Sequence, residues 1–121
     1  MSEIRSHRDL LVWQKAMALA EHVYQATRSF PRDEAFGLTS QTRRAAVSIA
    51  ANIAEGYGRG TRPAYVSFLR IARGSLLELE THIELAARVK LLASGDAVDI
   101  LAKTDELGRM LHGLISKVSK A

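Results

Sequence analysis

The sequence contains no cysteine. Disulfides and thiolate metal sites are thereby excluded, in keeping with a reducing compartment. Proline occurs twice, at Pro31 and Pro63. A proline inside a helix removes a backbone donor and clashes with the preceding turn, so each marks a boundary between elements. Aromatic residues make up only 6% of the chain, so a core has to be built mainly from aliphatic and small side chains. No apolar run approaches the ~20 residues that span a bilayer, and no membrane partner is expected. The stretch MSEIRSHRD has no apolar centre and does not read as a signal peptide. Strand-like alternation, internal repeats and low-complexity segments are also missing. The expected location is the cytoplasm.

What is present is helical periodicity. With 121 residues, 47% hydrophobic and 25% charged, the chain reads as a single domain over 1–121, large enough to bury roughly two-thirds of its unfolded surface. Apolar residues recurring at steps of three and four predict helices over about 10–27, 36–57, 61–92 and 97–118. In the first, Leu10, Trp13, Met17, Ala20, Tyr24 and Thr27 form a stripe widened by Ala16 and Val23, with Asp9 as N-cap. Trp13 suits a core or interface anchor; stacking on a base is its other use. The third helix carries a seam of Tyr65, Leu69, Ala72, Leu76, Leu79, Ile83 and Ala86, with Glu84 and Arg88 spaced for an ion pair. Gly74 lies mid-helix, where close contact with another helix is one reason to tolerate it. Asp96 is the expected cap of the fourth helix, whose last residues, SKVSKA, are expected to fray. Four helices with short connections give an all-α, up-and-down antiparallel four-helix bundle.

The stretch 36–59 is the most distinctive. Leu38, Ala45, Ala46, Ile49 and Ile53 form an apolar stripe. Beside it Gln41, Arg44, Ser48, Asn52, Glu55 and Arg59 recur at the same helical steps. Such a polar stripe is either a solvated face or a seam held against a partner helix or a second subunit, where its groups must be hydrogen-bonded or wet. Gln41, Arg44, Ser48, Asn52, Glu55 and Trp13 are therefore candidate interface residues. The alternating glycines Gly56, Gly58 and Gly60 favour a helix end and a short turn.

The net charge of +4 is unevenly distributed. Residues 28–73 hold eight arginines against Asp33, Glu34 and Glu55, whereas residues 74–106 hold seven acids against Arg88, Lys90 and Lys103. The planar guanidinium fork suits phosphate and carboxylate alike. The basic middle therefore fits a polyanion, or equally the acidic part of a neighbouring subunit. Arg43, Arg59, Arg62, Arg70 and Arg73 are the candidate nucleic-acid contacts. In an antiparallel bundle the loop between the second and third helices gathers Arg59, Arg62 and Arg70 at one end.

Three segments also carry a resemblance. These are LVWQKA from Leu11 with VYQAT ending at Thr27, FPRDEAFGLTSQTRRAAVSIAANIAEGYGR from Phe30 to Arg59, and YVSFLRIARGSLLELETHIELA from Tyr65 to Ala86. Taken in order, they resemble the four-helix-bundle proteins encoded in intervening sequences of bacterial 23S rRNA genes, the so-called ribosomal protein S23 family. The chain is also similar to the basic accessory variability protein of diversity-generating retroelements. The resemblance implies a four-helix bundle and a homo-oligomer, specifically a homopentamer. It also implies partners among RNA, DNA or a nucleic-acid-handling protein, and no enzymatic activity.

The residues themselves offer little chemistry. The histidines are His7, His22, His82 and His112, with no HExxH and no Glu-x-x-His pair. Glu78 and His82 are four apart, which on a helix is more often a surface pair than two metal ligands. Ser48 and Ser75 have no His and Asp in a triad context. No catalytic residue, metal site or cofactor is expected. The expected function is a non-enzymatic oligomeric scaffold that binds structured RNA or other nucleic acid. The alternative is a structural or protein-interaction homo-oligomer that binds none.

Overall fold

The computed structural model describes residues 3–120; Met1, Ser2 and Ala121, the ends of the expected domain, lie outside the described residues. Four helices follow in order: α1 (Leu11–Thr27), α2 (Leu38–Gly58), α3 (Arg62–Arg88) and α4 (Ser94–Lys120), with short 3-10 turns at His7–Asp9 and Arg32–Glu34. Side-chain bonds mark where they meet. Ser48 of α2 meets Ser75 of α3, Thr104 of α4 meets Glu80 of α3, and Lys103 of α4 meets His22 of α1. Sequential neighbours are antiparallel, and α1 closes the bundle against α4.

The core is aliphatic, as the scarcity of aromatics requires. α2 buries Ala45, Ala46, Ile49, Ala50 and Ile53; α3 buries Leu69, Ala72, Leu76, Leu79, Ile83 and Ala86. Apart from Ala50 these are residues of the stripes read from periodicity; of those stripes, Leu38 and Tyr65 are only partly buried, and Val66 is buried in addition. α1 differs. Its buried side is Val12, Ala16, Leu19, Ala20, Val23 and Thr27, while Met17 and Tyr24 are exposed. The expected α1 stripe is therefore rotated toward its true core face, because Leu19 rather than Met17 supplies the large inward side chain. In α4 the inward face is Ala97, Ile100, Thr104, Leu107, Leu111 and Ile115.

Helix ends carry the other corrections. Asp9 does not cap α1: its carboxylate accepts from the backbone of Arg5 and Ser6 and closes the preceding 3-10 turn, and α1 starts one residue later from Leu10. α2 begins at Leu38, whose N–H donates to the Glu34 carboxylate at 3.2 Å. That charge at a helix N-terminus is favourable. α3 stops at Arg88, short of residue 92, because Lys90 takes the left-handed conformation (φ 64°) and Leu91 N–H turns back to Ala86 C=O. This termination usually uses glycine, so a lysine there gives no sequence signal of it. α4 starts at Ser94, so Asp96 lies in its first turn, and its helix continues to Lys120 through the stretch expected to fray. The ion pairs among the described residues are Lys15–Glu106, Glu55–Arg59, Glu78–His82 and Asp105–Arg109; Glu84 and Arg88 do not form one.

Two glycines separate cleanly. A Cβ on Gly56 would stand 2.6 Å from Phe68 Cβ and 3.3 Å from Tyr65 C=O, so α3 lies directly on α2 there. Gly74 has nothing within 4 Å of such a Cβ, so close helix contact is not its reason. Gly74→Ala should stabilise the fold by about 0.5–1 kcal/mol through helix propensity alone. Gly56→Ala should destabilise it by about 1–3 kcal/mol through overpacking. Urea denaturation of the two variants checks both signs; a stabilised Gly56→Ala protein would refute the tight α2–α3 contact.

Candidate nucleic-acid interface

The connection between α2 and α3 is three residues long. Gly60 (φ 81°) reverses the chain, Thr61 Oγ1 accepts from Ala64 N–H, and Pro63 occupies the first turn of α3. The reversal places Arg62 at the very start of α3. Because α4 runs antiparallel to α3, its last turns arrive at the same end. There Leu114, Lys117 and Val118 close a cleft of about 390 Å³ against Tyr57, Arg62 and Tyr65. A second cleft, about 670 Å³, shares Arg62 and is lined by Val66, Ser67, Arg70 and Ser119. Among the described residues neither cleft is lined by an Asp or Glu side chain.

Arg62 and Arg70 are exposed, and neither they nor Lys117 enters an ion pair among the described residues. Arg59 is differently placed. Its guanidinium meets the Glu55 carboxylate at 2.6 Å and lies 5.0 Å from the Phe68 ring centroid. An exposed i,i+4 pair is worth only about 0.3–0.5 kcal/mol, so this contact positions Arg59 without binding it firmly. Tyr57 and Tyr65 stand edge to face at 6.0 Å. The Tyr65 hydroxyl is buried and unpartnered. Burial, with the adjacent Tyr57, pushes its phenol above the ordinary value, so it stays neutral.

The remaining arginines lie elsewhere. Arg43 is at the opposite end of the bundle. Its Nε donates to Thr27 Oγ1 at 2.8 Å, its guanidinium lies 4.6 Å from the Tyr24 ring centroid, and the Thr27 hydroxyl donates to Val23 C=O. It thus ties the end of α1 to α2. Arg73 lines a groove between α3 and α4 that also holds Glu80 and Asp105. Arg44 is exposed and borders a small polar hollow with Gln41, Ser48 and Glu78.

The polar stripe of α2 divides along its length. Ser48 and Asn52 are half-buried and form a seam with α3: Ser48 Oγ lies 2.9 Å from Ser75 Oγ, and Asn52 Nδ2 donates to Ser48 C=O and Oγ. Gln41, Arg44 and Glu55 are solvated. Further along, His82 approaches Glu78 at 3.8 Å, and its buried Nδ1 has no partner in the structure. Among the described residues no three His, Asp or Glu side chains come together in a way that could hold a metal ion.

Trp13 is half-buried. It packs against the core and lines an open apolar groove of about 540 Å³ between α1 and α2, with Met17, Tyr24, Val47 and Ala51. No helix among the described residues is long and apolar enough to cross a membrane.

Residues 8–113 match the family model described as 23S rRNA-intervening sequence protein. The chain belongs to this family. A solved structure supports the architecture: the crystal structure of a protein of unknown function from the S23 ribosomal protein family of Bacteroides thetaiotaomicron. It superposes with a TM-score of 0.78 over 87% of this chain and 98% of that one, at 24% identity. At that identity the likeness concerns the fold. No curated protein matches the chain. The three motifs that carry the resemblance lie inside the matched span of this intervening-sequence protein.

Of the expected contacts, the structure places Arg62 and Arg70 on one cleft. Arg59 lies in the adjoining turn and lines neither cleft. Arg73 stands one helical turn beyond Arg70 in the α3–α4 groove, and Arg43 is at the opposite end. The structure adds Lys117, Tyr57 and Tyr65, which are not among the contacts expected from the sequence. Lys117 is legible in principle, since an antiparallel α4 must end beside the start of α3. Replacing Arg43 with Met should lower stability by about 1 kcal/mol, the net worth of one half-buried hydrogen bond, and leave nucleic-acid affinity unchanged. Thermal melts beside a binding titration check this, and a loss of affinity in the folded variant would contradict it.

Proposed function

We propose that this intervening-sequence protein is a non-enzymatic, cytoplasmic oligomeric scaffold that binds nucleic acid through the basic end of its bundle. The observation that carries this reading is the pair of clefts sharing Arg62, flanked by Arg70 and Lys117 and lined, among the described residues, by no Asp or Glu side chain. Cations left without acidic partners fit phosphate, and phosphate contacts fix position without reading sequence. The apolar groove on α1 and α2 supports self-association, since exposed apolar patches mark interaction surfaces. The copy number of five rests on the resemblance. Repetition around a ring would multiply a modest basic end into a strong polyanion surface.

The test is binding of the purified protein to a structured RNA and to duplex DNA at about 50 and 200 mM salt. A protein using six or more phosphate contacts should lose affinity by about 10³-fold or more across that range. The double variant Arg62→Ala, Arg70→Ala should weaken binding to all sequences alike and flatten the salt slope by about one unit for each phosphate it no longer neutralises. Its mass in solution should not change. No binding at the lower salt would instead favour a structural homo-oligomer without nucleic acid. Separately, Val47→Glu in the apolar groove should shift the oligomer toward monomer, read by light scattering; an unchanged mass would remove the groove from the interface.

A further inference from the structure

We infer that the cleft between the end of α2, the start of α3 and the end of α4 takes one unpaired nucleotide, its base against the Tyr57–Tyr65 pair and its phosphate held by Arg62 and Lys117. This rests on the nucleic-acid reading and goes beyond it, because phosphate contacts alone do not distinguish paired from unpaired strands.

The chain has seven aromatic residues, Trp13 and three each of Tyr and Phe. Two of the three tyrosines meet at this cleft, 6.0 Å apart with an interplanar angle of 82°. An edge-to-face pair uses the edge of one ring and one face of the other, so aromatic surface remains for a third ring. Both tyrosines line the cleft together with Arg62 and Lys117. Its volume of about 390 Å³ falls in the range of sites for single small ligands.

The mouth of the cleft is unobstructed. Gly60 lines it in a left-handed conformation, and a Cβ at Gly58 or Gly60 would meet nothing within 4 Å. A strand can therefore approach the backbone closely. The adjoining cleft continues from Arg62 to Arg70, Ser67 and Ser119, which gives the neighbouring phosphate a cation and two hydroxyls. Aromatic rings beside a basic track are the means by which single strands are held, because every base has a π-face and only an unpaired base can present it.

The test uses fluorescence anisotropy at low salt with a labelled single strand of about 12 nucleotides, within the usual length range for such sites, and a duplex of the same length. Tyr57→Leu should weaken single-strand binding about five-fold or more, the lower bound of one base stack, and leave duplex binding unchanged. Tyr57→Phe should restore it. Circular dichroism melts establish that each variant folds. Should Tyr57→Leu fail to fold, a 2-aminopurine base in the strand reads the wild-type protein directly. A changed emission at saturation supports the base contact, and an unchanged one overturns it. If Tyr57→Leu leaves both affinities intact, or lowers both equally, the nucleotide inference falls. With Arg62→Ala still weakening both ligands, the phosphate reading survives that failure. A wild-type protein that binds neither strand overturns both.

Discussion

The bundle depends on how closely α3 can lie on α2. The inward side of α2 is built largely from residues with little or no side chain: Ala45, Ala46, Ala50 and Gly56 alternate with Ile49 and Ile53. At Gly56 the approach is so close that a single added carbon would sit 2.6 Å from Phe68 Cβ. Such a contact cannot slide. The Ser48–Ser75 bond, about two turns away along α2, repeats the same antiparallel register. Two fixed points on one helix pair determine where every other residue of α3 stands relative to α2. That register also explains why the connection needs only Arg59, Gly60 and Thr61, and why Arg62 emerges at the rim and not on a flank.

The polar seam is compatible with this packing because its groups satisfy one another. A lone buried serine would lose its hydration without compensation, at about 1–3 kcal/mol. Here Ser75, Ser48 and Asn52 form one connected set, with Asn52 also bonding to backbone. The seam therefore adds specificity to the α2–α3 register, since a shift by one turn would separate Ser48 from Ser75 and leave both hydroxyls without their partner across the helices.

Periodicity makes most of this legible. The stripes of α2 and α3 read from spacing are the buried faces observed except at their first residues, Leu38 and Tyr65, which are only partly buried, because a long helix with one apolar side turns that side to the core. α1 is harder to read. Its Met17 and Tyr24 fit the same helical steps as its true core residues, and apolar side chains on a surface groove look the same in sequence as apolar side chains inside. The end of α3 at Lys90 is hidden because no glycine announces the left-handed turn. The site is half legible. Residues 59–70 are local, so a loop rich in glycine and arginine predicts that Arg59, Arg62 and Arg70 gather. Lys117 and the Tyr57–Tyr65 pair depend on tertiary register between helices. Arg43 shows the converse limit: an arginine counted as basic surface is used within the fold, because Thr27 and the Tyr24 ring stand where its head must go.

The arrangement of the four helices bears on how assembly and binding coexist. Contacts run α1 to α2, α2 to α3, α3 to α4 and α4 to α1, so the helices form a square with α1–α2 and α3–α4 as opposite edges. The apolar groove lies on the first edge; the cleft holding Arg70 and Ser119 lies on the second. A neighbour seated on α1 and α2 would cover Met17, Tyr24 and Val47, which are otherwise exposed, without reaching Arg70. Were the two surfaces on one edge, self-association would compete with polyanion binding, and the burial of unpaired arginines would oppose the contact through their desolvation. On the proposed reading, a contact that paired the apolar grooves of two copies would leave the opposite edge of each, with its basic cleft, uncovered. Assembly and binding would then reinforce each other, since linked copies would hold their basic ends near one polyanion.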